Sequence, residues 1–518
     1  MVRTTKDNDK ELDGINGNIN QVSLSIRQLG FYSLLLSQVI FISVAHAGPE
    51  GGEVVGGSGS ISQSGVNTTI NQTTQNMAIN WQSYNVNANE RVQYIQPNAA
   101  SISLNRILSQ SGSTIAGRID ANGQVVLVNP NGIFFTSTSI INVGGIIASG
   151  LNIQPKDFMN GNYIFDEVLG TDGTVINSGI INASLGGNVA LIGKKVKNDG
   201  LIVANLGSVS LAAGKQAVLT FDQGGLLGVR ISKEILQEEL GIDPAVINSG
   251  EINAEGGRVL LTASTSQDVF SQAVNSGELD QSLSVVMHED GSFTLGGGAD
   301  VLNTGTVDTS TTNNDQNAYQ NTGRIVLLGE NVTSSGALNA DAENGNGGEI
   351  ELHAQNTTLL TSDSVTSARS EANGQGGVIK ILGNSIGLFD QSSVDASSAD
   401  GGGQVLIWSR YQESDIDFSE HNANNSGVVI DGNNTVSLEN SSIYGETIIV
   451  GDITIFLGEA SIFYNEKNII HPNGAISFFA AQFMPVARLN RMTTDWLKFQ
   501  EKPTLITSET PLSNIQWY

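Results

Sequence analysis

Histidine occurs at five positions, His46, His288, His353, His421 and His471, and no two stand in a metal-ligand spacing such as His-x-x-x-His. Cysteine is absent, which removes disulfides, thiolate metal sites and cysteine nucleophiles together. The run from Gly51 to Gly59 lacks the preceding strand and following helix of a dinucleotide loop, and it reads as a flexible mature N-terminus. Calcium held by turn carboxylates around Asp395 or Asp400 would call for a dense acidic repeat, which the chain does not carry. One short segment does have a definite physical role: Asn129-Pro130-Asn131-Gly132-Ile133. Asparagine starts turns by bonding its own backbone, proline fixes φ, and glycine permits a left-handed corner before Ile133-Phe134-Phe135 resumes a strand. The chemistry on offer is that of a tight turn and not that of an active site, and the chain reads as a non-enzyme.

The elements that would position such a turn are short strands. The pattern Val-x-Asn-x-Gly-x-Ile-x-Ala runs from Val175 to Ala183, from Val196 to Ala204 and from Val246 to Ala254, with weaker copies starting at Ala273, Val301 and Val332. Early copies are followed by a second strand, Asn188 to Ile192 and Ser208 to Ala212. From Gly347 the unit changes to a Gly-Gly-x-Ile/Val form, repeated at Gly376 and Gly402. Period-two alternation puts the aliphatics on one face, and glycine or asparagine allows positive φ at corners. A single unit cannot bury its face, but stacked copies can, so the pattern predicts an all-β chain folded as a right-handed parallel β-helix. Coils of about 21 residues rising ~4.8 Å each would build a rod on the order of 100 Å. Small helical protrusions are expected at Ser232 to Leu240, and an amphipathic helix at Arg488 to Phe499 would cover the end of the stack.

Composition agrees with that architecture. The chain has 518 residues, 60 of them glycine, and only 14% are charged, which suits turns between aliphatic strands and argues against disorder. The net charge of −27 would repel phosphate backbones, so no nucleic-acid partner is expected. Near the N-terminus, the apolar run Phe31 to Val44 is followed by Ala45-His46-Ala47, whose small residues at alternate positions suit signal peptidase. Residues 1–47 therefore read as an extended signal peptide cleaved after Ala47, with N-terminal sequencing expected to start at Gly48.

Residues Gly59 to Ile153 carry a family resemblance. In order they contain Ile79-Asn80-Trp81-Gln82-Ser83-Tyr84-Asn85-Val86, Glu90-Arg91-Val92-Gln93-Tyr94-Ile95-Gln96-Pro97 and Leu104-Asn105-Arg106-Ile107. Ala121 to Ile133 and Ile141-Asn142-Val143-Gly144-Gly145 follow. This set resembles the secretion domain of filamentous haemagglutinins, in the branch similar to high-molecular-weight adhesins. The resemblance implies Sec export, then passage through a dedicated outer-membrane two-partner-secretion transporter. It implies that Asn129, Pro130, Asn131, Gly132 and Ile133 form the recognition and nucleation motif. The additional Asn-Pro-Asn-Leu element of other haemagglutinins is absent here. The organisation expected is 1–47 signal peptide, 48–300 secretion domain, 301–440 shaft with Gly-Gly repeats and 441–518 C-terminal cap segment. A monomeric adhesin, secreted or held at the Gram-negative cell surface and facing a host or bacterial receptor, is the leading reading, with no cofactor or metal. The alternatives are a carbohydrate-active β-helix enzyme and a truncated contact-dependent toxin carrier.

Overall fold

Alternation turns each repeat copy into two short strands that meet at an Asn-x-Gly corner. Thr174–Asn177 leads to Ile180–Ala183, Lys195–Asn198 to Leu201–Val203, and Val246–Asn248 to Glu251–Asn253. A third strand then closes the coil, as in Val189–Gly193, Ser208–Ala213 and Arg258–Thr262. In the computed structural model the chain divides into two units, Met1–Ala45 and His46–Tyr518. The structure describes residues 48–222, 225–264, 298–312, 323–398 and 403–409, and the backbone of short strands within 285–295 and 427–491. The signal-peptide segment with Ala45 and Ala47, the repeat copy at Ala273, His46, His288, His421, His471 and Asp400 lie outside the described residues.

Each strand pairs in parallel with its equivalent in the next coil, which gives three long sheets and an all-β parallel β-helix. Sheet I runs from Asn76–Trp81 through Gln124–Val128 and Val189–Gly193 to Gln404–Ser409 and beyond. Sheet II starts at Ser113–Ile115 and continues through Ile133–Phe135 and Thr174–Asn177. Sheet III starts at Asn67–Gln72 and continues through Arg91–Ile95 and Arg118–Ala121. Register brings like residues together. Val125, Ile146, Val189, Val209, Val259, Ile325, Ile350, Ile379 and Val405 form one unbroken interior column of sheet I. All of them are buried, and full burial of each such side chain stabilises the stack by about 1.5–3 kcal/mol.

The coils are not uniform. Equivalent asparagines at the sheet II corner are separated by 21, 50, 55 and then 31 residues to Ser334. The early surplus leaves the helix at one corner, between sheets I and II, as excursions over 150–173 and 214–245. The first carries the short helix Pro155–Met159 and the strand Ile164–Asp166. The second folds back as the antiparallel pair Gln216–Asp222 and Gly225–Lys233, and Ile164–Asp166 joins it to make a three-stranded sheet. This layer lies on the outer face of sheet I. Phe158, Phe165, Ala217, Leu219, Val229 and Ile231 form a second hydrophobic core there with Leu104, Val126, Ile147, Ala190 and Ile192.

Three expectations are corrected. The Ser232–Leu240 segment is helical only over Gln237–Leu240, and Ser232 and Lys233 end a strand. Its upstream residues Val229 and Ile231 are both buried, a period of two that the hairpin satisfies and a helix would not. At the other end of the chain, Arg488–Arg491 is a strand parallel to Ser461–Tyr464, because it continues sheet III; the rest of the expected helix lies outside the described residues. Finally, the Gly51–Gly59 run is no loose tail. Glu53–Gly56 pairs antiparallel to Asn76–Trp81, and Gly59–Ser64 pairs antiparallel to Asn67–Gln72, so this segment covers the open edge of the first coil. Gly52 lies so close to the Trp81 ring that a Cβ there would come within 2.5 Å of it.

Candidate functional site

Asn129 ends the sheet I strand Gln124–Val128, and Ile133 opens the sheet II strand Ile133–Phe135. The four residues from Asn129 to Gly132 close a tight turn in which the Gly132 amide donates to the Asn129 carbonyl at 2.9 Å. The Asn131 amide donates to Asn129 Oδ1 at 3.0 Å, the side-chain turn expected of asparagine. Gly132 adopts φ +104, the left-handed region that L side chains avoid. The turn is thus formed as the residue types dictate.

Its side chains do more than shape the turn. Asn129 is fully buried, and its Nδ2 donates to the Ser111 carbonyl and to Ser113 Oγ, both at 3.0 Å. Asn131 Nδ2 donates to the Ser109 carbonyl at 2.8 Å. On the opposite side, the Asn129 amide donates to the Ser149 carbonyl at 3.0 Å, and the Gly173 amide donates to the Pro130 carbonyl at 2.8 Å. The corner therefore ties the coil before it to the coil after it. Pro130 and Asn131 stay half-buried at the surface, while Gly132 and Ile133 are buried. The Ser109–Ser113 partners were not singled out from the sequence, because a bond across coils leaves no local signal.

A second polar feature also escaped the sequence reading. Asn177, Asn198, Asn248 and Asn303, the repeat's own asparagines, are fully buried and stacked. Each Nδ2 donates to the Oδ1 of the next coil at 2.8, 2.9 and 2.8 Å, and Asn303 passes the chain to Ser334 Oγ at 3.1 Å. The glycine two residues on was expected to supply positive φ, and it does not. Gly200 and Gly250 are glycines because the coils touch there: a Cβ on Gly250 would meet the Gly200 carbonyl oxygen at 2.1 Å. In the first coils, burial raises the phenol pKa values of Tyr84 and Tyr94, whose hydroxyls bond each other at 2.7 Å.

Chemistry elsewhere among the described residues is sparse. On the outer face of sheet I, His353 Nδ1 lies 3.8 Å from the Glu351 carboxylate, to which Lys380 and Arg324 also approach at 3.9 and 3.8 Å. Burial opposes the charge on Glu351, yet His353, Lys380 and Arg324 together hold its carboxyl below the usual range. Asp395 lies 3.9 Å from Arg369 and accepts the Ser397 amide at 2.8 Å. No group of three or more His, Asp or Glu side chains converges on one point among the described residues. Gly383-Asn384-Ser385-Ile386-Gly387 has the Gly-x-Ser-x-Gly spacing of a nucleophile elbow. Ser385 opens the sheet II strand Ser385–Leu388, whereas an elbow serine sits on a strand-to-helix turn.

Comparison with known proteins places this architecture. The family model described as the TPS secretion domain matches residues 45–309. A heme/hemopexin-binding protein of Haemophilus influenzae strain Rd is 33% identical over 223 residues, which is 42% of this chain and 23% of that protein. A second heme/hemopexin-binding protein of Haemophilus influenzae is 33% identical over 97 residues, 19% of this chain and 10% of that protein. The chain thus spans less than a quarter of the length of these curated relatives. Among solved structures, the crystal structure of the HMW1 secretion domain from Haemophilus influenzae superposes with a TM-score of 0.53 at 24% identity, over 84% of this chain and all of that one, and shows the same fold. With its first β-helical coils, their cap and their asparagine corner inside the matched residues, the chain belongs to the TPS secretion domain family of two-partner-secretion exoproteins.

Proposed function

We propose that this protein is an adhesin-like exoprotein without enzymatic activity, carried by a dedicated outer-membrane barrel transporter to the medium or the cell surface, where it acts as a monomer. In this reading residues 1–47 are a signal peptide cleaved between Ala47 and Gly48, 48–300 form the export module, 301–440 the shaft and 441–518 the terminal segment. The observation that carries the proposal is the Asn129–Ile133 corner, a locally encoded turn placed early in the matched region. A turn written in adjacent residues can form in an otherwise unfolded chain, which is the state a narrow barrel would meet. Support for a non-catalytic role comes from the outer face of sheet I, where Glu351, His353, Lys380 and Arg324 are spent on one another. Outward residues of sheet III that are exposed among the described residues, Ile140, Ile180 and Val365, suit contact with a surface or receptor.

The export role of the corner separates from its structural role through its partner. Asn129→Ala with Asn131→Ala removes the motif itself. Ser113→Ala removes only the hydroxyl that Asn129 bonds in the folded coil. Recognition predicts that the double variant is nearly lost from the culture medium and cell surface and degraded in the periplasm, while Ser113→Ala is exported at the wild-type level. Loss of such bonds in a merely structural corner costs about 1–3 kcal/mol, which a long stack tolerates. Normal export of the double variant would remove the recognition role.

A further inference from the structure

The outward face of sheet II carries an apolar line. Ile247, Leu302, Thr333 and Leu359 stand beside one another in register on four successive coils, and all four are half-buried. The next position in that column is Gly387, and the Phe389 ring lies over it beside Leu359. The line is one residue wide. On one side it is flanked by Asp300, Asn331 and Thr357, where Asn331 Nδ2 donates to Asp300 Oδ1 at 2.8 Å. On the other side lie Ser249, Thr304 and Ser335 at the corner toward sheet III. From Val246 to Asp390, the strands of sheet II and the corners at their two ends carry Asp300, Glu330, Asp363 and Asp390, and no Lys, Arg or His among the described residues. Burial and the like charges of Asp300, Glu238 and Glu234 raise the Glu330 carboxyl pKa, so negative charge gathers along this border. Upstream the column passes to Lys197, which Asp199 holds at 2.9 Å, and the acidic stretch begins after it.

We propose that this line is a docking surface for a cationic amphipathic helix, one that sets a row of aliphatic side chains between lysines or arginines. The spacing fits. Neighbouring strands lie about 4.8 Å apart and successive turns of an α-helix about 5.4 Å apart. A helix laid along the column therefore keeps one apolar contact per coil and drifts by only about 2 Å over three steps. A helix also meets a flat face along a narrow stripe, with its flanking side chains over the polar borders. Lysine or arginine placed there would face Asp300 and Glu330 on one side and Asp363 and Asp390 on the other. The same features select against other occupants. A second sheet packs through an apolar face several residues wide, and an anionic helix is repelled by a chain of net charge −27. The inference adds a partner chemistry to the adhesin-like reading but rests only on the folded face, so its failure is distinct from a failure of export.

The test is fluorescence anisotropy of a labelled synthetic peptide of about 14 residues, titrated with the purified full-length protein. Its leucines recur at every third or fourth position and lysines fill the rest. Wild type binds this helix, and binds a scrambled peptide of the same composition at least about 10-fold more weakly, because scrambled leucines form no single row. Replacing the lysines by glutamate abolishes binding. Leu302→Thr with Leu359→Thr weakens binding by about 10-fold. The column already holds Thr333 between them, so circular dichroism and melting of this variant stay at wild type. Asp300→Asn with Glu330→Gln weakens binding by about 3- to 10-fold and flattens its salt dependence. Ile180→Thr is the control, since Ile180 is an exposed outward residue of sheet III. The proposal is overturned if the helix does not bind, if the scrambled or glutamate peptide binds equally well, if either double variant binds as wild type does, or if Ile180→Thr has the same effect. Sedimentation that shows a wild-type dimer lost in Leu302→Thr with Leu359→Thr, and no peptide bound, would overturn it in favour of a second copy of this chain.

Discussion

Gly250→Ala is expected to lower the unfolding free energy of the β-helix by about 3–5 kcal/mol, among the largest effects of any single methyl group. The reason is geometric. A Cβ at Gly250 would lie 2.1 Å from the Gly200 carbonyl oxygen and 2.7 Å from the Gly200 amide nitrogen, both backbone atoms of the adjoining coil. No rotamer relieves a backbone clash, so the two coils must separate. Separation strains the Ser249 and Gly250 amides, which donate to the Asn198 carbonyl at 2.8 and 3.0 Å. Gly228→Ala supplies the comparison: its Cβ would meet nothing within 4 Å, and its φ is not left-handed, so its effect should stay within about 0.5 kcal/mol. Thermal or urea unfolding of both variants measures the difference. Equal stabilities would show that the coils can part at the corner without loss.

Asn248→Ala should follow closely, with a loss of about 2–5 kcal/mol from two buried groups that each lose a partner. Asn198 Nδ2 would lose the shorter of its two acceptors, keeping the Gly200 carbonyl at 3.3 Å, and Asn303 Oδ1 would lose its donor, in an interior that excludes water. Asn248→Asp gives the sharper experiment. The aspartate still accepts from Asn198, but when ionised it has no proton to give Asn303, and burial with a facing oxygen raises its folded pKa above the ordinary ~3.9. A raised folded pKa means that the unfavourable charge is felt above it and relieved below it. Asn248→Asp should therefore gain stability relative to Asn248→Ala as pH falls from about 7 toward 4. Parallel melts across that range would sink the ladder's energetic role if the gap between the two variants never changed.

The sequence made the inner wall of the helix legible and the outer layer illegible, for one reason. Val-x-Asn-x-Gly-x-Ile-x-Ala alternates because its strands bury one face, so Val175, Ile181 and their stacked equivalents could be read from a period of two. Gln124–Val128, Gly145–Ser149 and Val189–Gly193 are buried at every residue. Such continuous runs suit a sheet covered on both faces, but the second core was not read from them, because a short apolar run does not say what covers it. The corner at Asn129 was legible in its turn residues and in Gly132, which local stereochemistry demands. Its ties to Ser109, Ser111 and Ser113 were not, since the coil spacing decides which backbone lies opposite. The same limit applies to the asparagines. Their repetition was visible, but their stacking was misread as a need for corner flexibility, and only the contact between coils explains both Asn248 and Gly250.

The confinement of the early excursions to one corner has an evolutionary consequence. One residue added inside a strand would turn every later side chain of that strand to the wrong face. At the corner between sheets I and II the chain already leaves and returns over 150–173 and 214–245 without disturbing the pairing of Val196 with Val246 or Val209 with Val259. Closing a loop of twice the length costs only about 0.6 kcal/mol more. Added segments are therefore tolerated at this edge, and a shorter one is tolerated between sheets III and I, where Asp308 and Arg324 end and begin successive strands. Chains with different excursions can thus present different outer surfaces on one and the same stack of coils.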